Sequence, residues 1–292
     1  RTKFYGTYSS GKTTQVLRCI SYLQKAGYFC AYIDVEGTLD LTWASNLGVD
    51  TENLLLVQPD TAEAALDVAY ELCVSGVVDV IALDSLAALE PSTELDKGHA
   101  EWQQGLQARL INKFCRKITS AQAKMASLGK YVTWLWINQL REKIGIMFGD
   151  PSVQAGGRGH NFATTCEIKL WQGKTELDGD LEKKEGTGKP LNIEFNFKVT
   201  KNKSGPAQMG GTFIQIGSRT KYKNVGQIYD EPIVRKFGIR FGLITKEKGI
   251  YCFKGEPCLN PDGEGAGSLE ALDEVFLMRP DYFWKVRTEL LK

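Results

Sequence analysis

The chain has 292 residues and a formal net charge of +1, with 42% hydrophobic and 24% charged residues. This balance is typical of a globular protein with room for one large domain and one small one. The near-neutral charge excludes bulk attraction to nucleic acid, so any polyanion site must be local. Seven scattered cysteines form neither a disulfide framework nor a C-x-x-C metal pattern. No run reaches the ~18 apolar residues of a membrane span. We therefore expect a cytoplasmic protein with no membrane partner.

The first motif is a phosphate-binding loop at residues 6–14, with the sequence GTYSSGKTT. It fits G-x-x-x-x-G-K-[ST], in which backbone N–H groups and a helix N-terminus surround phosphate. Lys12 is expected to reach the β- and γ-phosphates of ATP, and Thr13 to ligate Mg²⁺. The predicted nucleotide site is the whole loop: Gly6, Thr7, Tyr8, Ser9, Ser10, Gly11, Lys12, Thr13 and Thr14. The alternative is a glycine-rich turn that matches by chance. Because the chain begins at Arg1, close before this loop and without Met, we also expect a further N-terminal segment.

Buried strands ending in polar residues follow the loop. A strand at 28–34 ends just before Glu36, at the position where open α/β sheets carry their chemistry. A solvated loop carboxylate is the alternative for Glu36. The strand at 77–85 ends in Asp-Ser, the Walker B pattern, and Asp84 is expected to hold Mg²⁺. A further buried strand at 131–139 ends in two amides.

Two later regions suit nucleic acid. The predicted helix at 106–128 has a basic face. This face either binds nucleic acid or is an ordinary solvated surface, and the sequence favours neither. Residues 140–159 are predicted to form a long loop that mixes basic, apolar and glycine residues, which suits phosphates and bases. An ordinary flexible loop is the alternative.

Antiparallel strands are predicted at 162–171 and 191–201, and residues 230–292 are predicted to form a small α+β domain after a core at 1–229.

Several stretches together resemble the bacterial RecA recombinase family over nearly the whole chain. They are the loop at 6–14, AYIDVEGTLD (31–40), NLGVDTENLLLVQPDT (46–61), VDVIALDSLAAL (78–89), INQLREKIGIMFGDP (137–151), KVTKNK (198–203) and KVRTELL (285–291). The resemblance implies an α/β fold: a P-loop ATPase core with a mostly parallel central sheet, antiparallel edge strands and a small C-terminal domain. It also implies a DNA-dependent ATPase that forms head-to-tail helical filaments on single-stranded DNA and exchanges strands with double-stranded DNA.

The resemblance further implies roles for individual residues. Glu36 matches the catalytic glutamate that orients water, and Gln139 matches the glutamine that senses the γ-phosphate. Asp40 and Trp43 fall where adenine is held, and Lys201 and Lys203 match lysines that reach a neighbouring subunit's ATP. The positions that match DNA contacts are Arg109, Arg116, Arg141, Lys143, Met147, Phe148, Gly156 and Gly157.

The chain also departs from the family pattern. Asn161 stands where the family has a lysine near ATP, and Asp262 and Glu264 stand where basic residues would gather duplex DNA. Two other functions are alternatives: a RecA-fold motor or clock ATPase, which shares the P-loop, the Asp84 strand and the glutamate, and a catalytically idle DNA-binding recombination mediator. The first would not be expected to share 137–151 followed by two glycines, and the second would be expected to lose Lys12 or Glu36.

Overall fold

A computed structural model describes residues 1–92, 105–142, 152–177, 190–221 and 223–290. The chain divides into two compact units. The first comprises Arg1–Lys174 and Glu194–Thr212, and the second comprises Thr175–Ile193 and Phe213–Lys292. The domain boundary expected at residues 229 and 230 stays a prediction. No helix among the described residues is long and apolar enough to cross a lipid bilayer.

A mostly parallel central sheet organises the described chain. Its strands are β1 (Thr2–Gly6), β2 (Cys30–Asp34), β3 (Leu54–Val57), β4 (Val80–Asp84), β5 (Thr133–Glu142), β6 (Ser152–Gln154), β7 (Cys166–Leu177), β8 (Pro190–Asn202) and β9 (Gly210–Ile216). The order is β3-β2-β4-β5-β1-β7-β8-β9, and β6 pairs with β5. The pairs β2–β3, β2–β4, β4–β5, β1–β5 and β1–β7 are parallel. The predicted α/β fold class is confirmed.

The strand register brings the polar strand ends together. Asp34 lies opposite Asp84 in the β2–β4 pair, and Gly6 lies opposite Gln139 in the β1–β5 pair. Because the strands run parallel, their carboxyl ends share one edge of the sheet. Ligands of open α/β sheets bind outside this edge.

Helices of the first unit connect or flank these strands. They are α1 (Lys12–Lys25), α2 (Leu41–Asn46), α3 (Ala62–Ser75), α4 (Leu106–Ser127) and α5 (Gly159–Ala163). The Thr61 hydroxyl accepts a hydrogen bond from the Ala64 N–H at 3.2 Å and so caps the start of α3. The sequence patterns do not predict helix α2. Its first turn is capped by the Asp40 carboxylate, which accepts from the Thr42 and Trp43 N–H groups.

An aromatic core holds β5 against α4. Trp134 and Trp136 are fully buried, and their ring centroids lie 6.2 Å apart. Phe114 of α4 meets Trp134 edge-on at 5.9 Å, a favoured geometry for aromatic pairs. This packing holds in place β5, the strand that carries Gln139.

Part of the region 140–159, which the sequence predicts to be a long loop without secondary structure, forms strands. Residues 140–142 continue β5, and β6 pairs with them in antiparallel register, Arg141 opposite Val153. Pairing satisfies backbone groups that a bare loop would leave to solvent. The predicted DNA contacts Lys143, Met147 and Phe148 lie outside the described residues.

The second unit contains its own small sheet and helices. Its elements are β10 (Ile244–Glu247), β11 (Ile250–Phe253), β12 (Glu256–Pro257), α6 (Glu231–Arg240), α7 (Leu269–Met278) and α8 (Pro280–Leu290). Phe276 and Phe283 contribute to its core, and their rings meet edge-on at 6.1 Å. Arg235 of α6 donates to Asp273 of α7 at 2.7 Å. This α+β content agrees with the expectation for the C-terminal part.

Candidate functional site

The loop between β1 and α1 has the geometry of an anion site. Gly6 is the last residue of β1, and Thr7, Tyr8, Ser9, Ser10 and Gly11 follow it before α1 begins. Gly11 has a φ of 79°, a conformation that favours glycine. Helix α1 contains Lys12, Thr13 and Thr14, and among the described residues no side chain caps its start. Its first N–H groups can therefore face a phosphate.

Lys12 is held at the centre of this loop. Its ammonium donates to the Thr7 carbonyl at 2.6 Å and to the Ser10 hydroxyl at 3.3 Å. Burial lowers the pKa of Lys12, and the negative charges of Asp84 and Glu36 oppose that shift. In this structure the Lys12 ammonium thus donates its hydrogen bonds to residues of the phosphate loop, where it is expected to contact a phosphate.

Asp84 lies beside the loop as the Walker B pattern predicts. Its Oδ2 accepts one hydrogen bond from the Thr13 hydroxyl at 2.8 Å and another from the Tyr32 hydroxyl at 2.6 Å. Burial raises the pKa of Asp84 to about 6, while the two hydroxyls act in the opposite direction. A hydroxyl next to a carboxylate is a hard oxygen donor set that suits Mg²⁺, which is usually held by one or two carboxylates plus phosphates.

Glu36 and Gln139 come together at the same sheet edge. The Gln139 amide donates to Glu36 Oε1 at 3.0 Å, and the Ser85 hydroxyl donates to the same oxygen at 2.6 Å. The loop that carries Glu36 is anchored by Asp34, whose carboxylate accepts from the Leu39 N–H at 3.0 Å. Within the part of the chain that the structure describes, both hydrogen bonds to the Glu36 side chain fall on Oε1, so Oε2 can accept from a water molecule.

The predicted adenine contacts lie on α2. The Asp40 carboxylate accepts from two backbone N–H groups, at 2.7 and 3.1 Å, so it acts as a helix cap in this structure. Trp43 is half-buried in the first turn of the helix. Among the described residues, neither side chain hydrogen-bonds to the phosphate loop. The roles of Asp40 and Trp43 in binding adenine stay predictions.

A buried polar network lies behind Gln139. The Asn138 amide and the His160 ring both bond the Ala155 carbonyl, at 3.0 and 2.9 Å. The fully buried Lys3 ammonium donates to His160 Nδ1 at 2.9 Å and lies 3.4 Å from Glu167. Burial lowers the pKa of Lys3 to about 8, and burial together with the Lys3 charge lowers the pKa of His160 to about 4. The imidazole is therefore neutral, accepts at Nδ1 and donates from Nε2.

The two predicted intersubunit lysines meet α5 of their own chain. Lys201 donates to the Asn161 carbonyl and lies 3.9 Å from Glu167. Lys203 donates to the Phe162 carbonyl at 3.1 Å. Both ammonium groups thus cap carbonyls near the end of a short helix, where positive charge is favourable.

The predicted DNA contacts on α4 line an open groove. Arg109 and Arg116 are exposed and border a cavity of about 860 Å³ together with Phe162 of α5. Arg141 is exposed and donates to the Ala87 carbonyl at 3.2 Å. Of the predicted basic contacts, these three belong to the described chain.

Gly156 and Gly157 turn sharply and pack against α4. Their φ values are 82° and 77°, and Gly156 is buried while Gly157 is exposed. A Cβ added at Gly156 would lie 2.5 Å from Ile111, and one at Gly157 would lie 2.8 Å from Ala108. Close approach to α4 therefore requires glycine at both positions.

Sequence reasoning does not find several residues of the site. The Walker B pattern includes Ser85 but does not predict its bond to Glu36. In the sequence, Tyr32 is not distinguished from the apolar residues of its buried strand. Its hydroxyl could nevertheless have indicated a contact with Asp84, because the two strands are neighbours. His160 and Lys3 give no local signal, because 157 positions separate them.

Comparisons with known proteins agree with this geometry. The RecA N-terminal domain family matches residues 2–216. The chain belongs to the RecA family. It is 36% identical over 280 residues to the protein RecA of Cytophaga hutchinsonii, covering 96% of this chain and 71% of that protein. With the RecA of Teredinibacter turnerae it shares 36% identity over 254 residues, or 87% and 68% of the two chains. With that of Clostridioides difficile it shares 42% over 202 residues, or 69% and 54%. The RecA family match covers the phosphate loop, Glu36, Asp84, Gln139 and both lysines.

Proposed function

We propose that the chain is an ATP-dependent DNA recombinase, which binds single-stranded DNA as a filament in the cytoplasm and promotes homologous pairing and strand exchange. The observation that carries this proposal is the hydrogen bond between Gln139 and Glu36. It joins the residue expected to position water for ATP hydrolysis to the strand that leads into the predicted DNA loop. A motor or clock ATPase of the same fold would not be expected to have that following loop sequence.

ATP hydrolysis is assigned to residues at one sheet edge. Lys12 and the N–H groups at the start of α1 bind the phosphates, and Thr13 with Asp84 holds Mg²⁺, which supplies positive charge to the phosphates when it is bound. Glu36 orients the attacking water through Oε2 and accepts its proton, as a general base does. Ser85 and Gln139 fix the carboxylate for this task by bonding Oε1. Asp40 and Trp43 hold the adenine.

Single-stranded DNA is assigned to the groove bordered by Arg109 and Arg116, to Arg141, and to residues 143–151, which are predicted to form a loop, with the glycines at 156 and 157. Arginines on exposed surfaces neutralise phosphates and release counterions. Apolar side chains expected in the loop, Met147 and Phe148, would contact bases. Double-stranded DNA is the second substrate, brought to the bound single strand by base pairing.

Filament assembly is assigned to a head-to-tail interface. Such an interface joins two different faces, and it produces an open helical filament when its rotation does not close into a ring. Lys201 and Lys203 would complete the ATP site of the adjacent subunit, leaving the α5 carbonyls that they cap in the single chain.

A strand-exchange assay tests this proposal. The protein is loaded on a fluorescent single strand with ATP and Mg²⁺, and then mixed with a homologous or a heterologous duplex of equal length. We expect product with the homologous duplex only, and none with the Lys12→Ala variant. Equal product from both duplexes, or none with ATP and single-strand binding intact, would contradict the proposal.

A further inference from the structure

Tyr32 lies directly behind the candidate cation site. Its side chain is fully buried in β2, and its hydroxyl donates to Asp84 Oδ2 at 2.6 Å. The Thr13 hydroxyl donates to the same oxygen at 2.8 Å. Among the described residues, both side-chain hydrogen bonds to this carboxylate fall on Oδ2, and neither falls on Oδ1.

The sheet register explains how the ring reaches Asp84. Tyr32 lies opposite Ala82, and Asp34 lies opposite Asp84. Side chains two residues apart along a strand share a face, so Tyr32, Ala82 and Asp84 lie on one side of the β2–β4 pair. From this shared face the Tyr32 hydroxyl reaches the Asp84 carboxylate.

The two donors to Oδ2 differ in what else they do. Thr13 is on α1, directly after the phosphate loop, and its oxygen is the predicted cation ligand. Tyr32 is buried on the central strand β2 and is not a predicted ligand of the cation. When Thr13 engages a cation, Tyr32 remains as a donor anchored in the sheet. Its bond holds Oδ2 towards the tyrosine, so Oδ1 is the oxygen without a side-chain donor among the described residues.

We propose that Tyr32 is a positioning residue for the divalent cation that accompanies the nucleotide: it orients Asp84 so that Oδ1 faces the cation or its bound water. This role rests on the proposed nucleotide function. Outer-shell hydrogen bonds of this kind typically change metal affinity about 10–100-fold when they are removed. Tyr32 acts through Asp84 and does not itself touch the cation.

The test is Tyr32→Phe, which removes one hydroxyl and keeps the ring. A fluorescent ATP analogue is titrated with Mg²⁺ at fixed protein concentration, and the half-saturating Mg²⁺ concentration is measured. We expect it to rise about 10-fold, whereas nucleotide affinity measured in excess EDTA should be the same as that of the wild type. The matched control is Tyr5→Phe, which removes a hydroxyl bonded to Thr200 at 3.0 Å on another strand of the sheet. That variant is expected to keep the wild-type Mg²⁺ dependence.

A double-mutant cycle separates positioning from packing. In an Asp84→Asn background, adding Tyr32→Phe should leave the half-saturating Mg²⁺ concentration within about twofold, because residues that act as one unit are not additive. Urea unfolding without Mg²⁺ checks that both variants are folded. An unchanged or lower Mg²⁺ requirement in Tyr32→Phe overturns the proposal, and so does an equal effect in both backgrounds. Absence of Mg²⁺-dependent nucleotide binding in the wild type would overturn the proposed function as well.

Discussion

The Gln139 amide donates a hydrogen bond to Glu36 Oε1 at 3.0 Å, although 103 positions separate the two residues. Parallel pairing of β1 with β5 and of β2 with β4 brings their strand ends to one edge. The bond connects a carboxylate beside the phosphate loop to the strand that continues into residues 140–142 and pairs with β6. We therefore expect a change at Glu36 that alters this bond to affect the base of the predicted DNA loop.

Glu36→Gln should keep nucleotide binding and lose hydrolysis. The amide retains the shape of the side chain and loses the proton acceptor, and general bases contribute typically about 10²–10⁴-fold. The measurement is the steady-state ATPase rate beside the affinity for a fluorescent ATP analogue. Glu52→Gln, at an exposed carboxylate, is the control and should behave as wild type. A loss smaller than about threefold would assign the base to another residue.

Gln139→Ala should weaken the coupling between DNA and hydrolysis. The variant removes the donor to Glu36 Oε1 but leaves the Ser85 hydroxyl on the same oxygen, so Glu36 keeps one of its two anchors. We expect nucleotide affinity close to wild type and a smaller increase of the ATPase rate on adding single-stranded DNA. The rate is measured across a DNA titration. Wild-type stimulation in this variant would show that the Gln139–Glu36 bond carries no signal.

Arg109→Ala and Arg116→Ala should each weaken single-stranded DNA binding and flatten its salt dependence. Removing one phosphate-binding side chain reduces the slope of log affinity against log salt by roughly 0.7 for single strands. Fluorescence anisotropy at several salt concentrations measures the slope. Lys124→Ala, exposed on the same helix outside the groove, is the matched control. Slopes identical to wild type would remove these arginines from the interface.

His160 should make folding stability depend on pH. Its pKa is about 4 in the folded chain, whereas the ordinary value is 6.5. Between these values the unfolded chain binds more protons, so stability falls as pH falls. From pH 7.5 to pH 5 the loss of stability from this residue is about 2 kcal/mol. Urea unfolding of wild type and His160→Gln at both values measures it, and the variant should lose less stability on acidification. An equal loss in both proteins would exclude His160 as the cause.

Lys201 and Lys203 can be tested by mixing two inactive proteins. The double variant Lys201→Ala with Lys203→Ala and the variant Lys12→Ala should each lack DNA-stimulated ATPase. In an equal mixture, random head-to-tail assembly gives an intact pair at about a quarter of the interfaces. Part of the activity should therefore return. If mixed filaments form and no activity returns, the lysines act within their own subunit, where they cap α5.

The sequence predicts those parts of the site that follow local patterns. The phosphate loop, Glu36 and Asp84 each stand at or just past a strand end, and Gln139 stands where the parallel part of β5 ends. Hydrophobic runs locate such positions. Helix α2 is not predicted because its six residues are too few to show a repeating apolar pattern with the helical period. The strand pair β5–β6 is not predicted because glycines and charges near it favour a loop. The network of Lys3, His160 and Glu167 depends on contacts between distant segments, and no spacing rule reaches them.

The rate of ATP hydrolysis with and without single-stranded DNA decides whether this chain is a DNA-dependent ATPase. Purified protein is assayed at saturating ATP and Mg²⁺ across a titration of a single-stranded oligonucleotide, beside Lys12→Ala as the inactive control. We expect a low basal rate that rises with DNA and saturates, with no hydrolysis in the control. A wild-type rate that is the same at every DNA concentration would contradict this expectation.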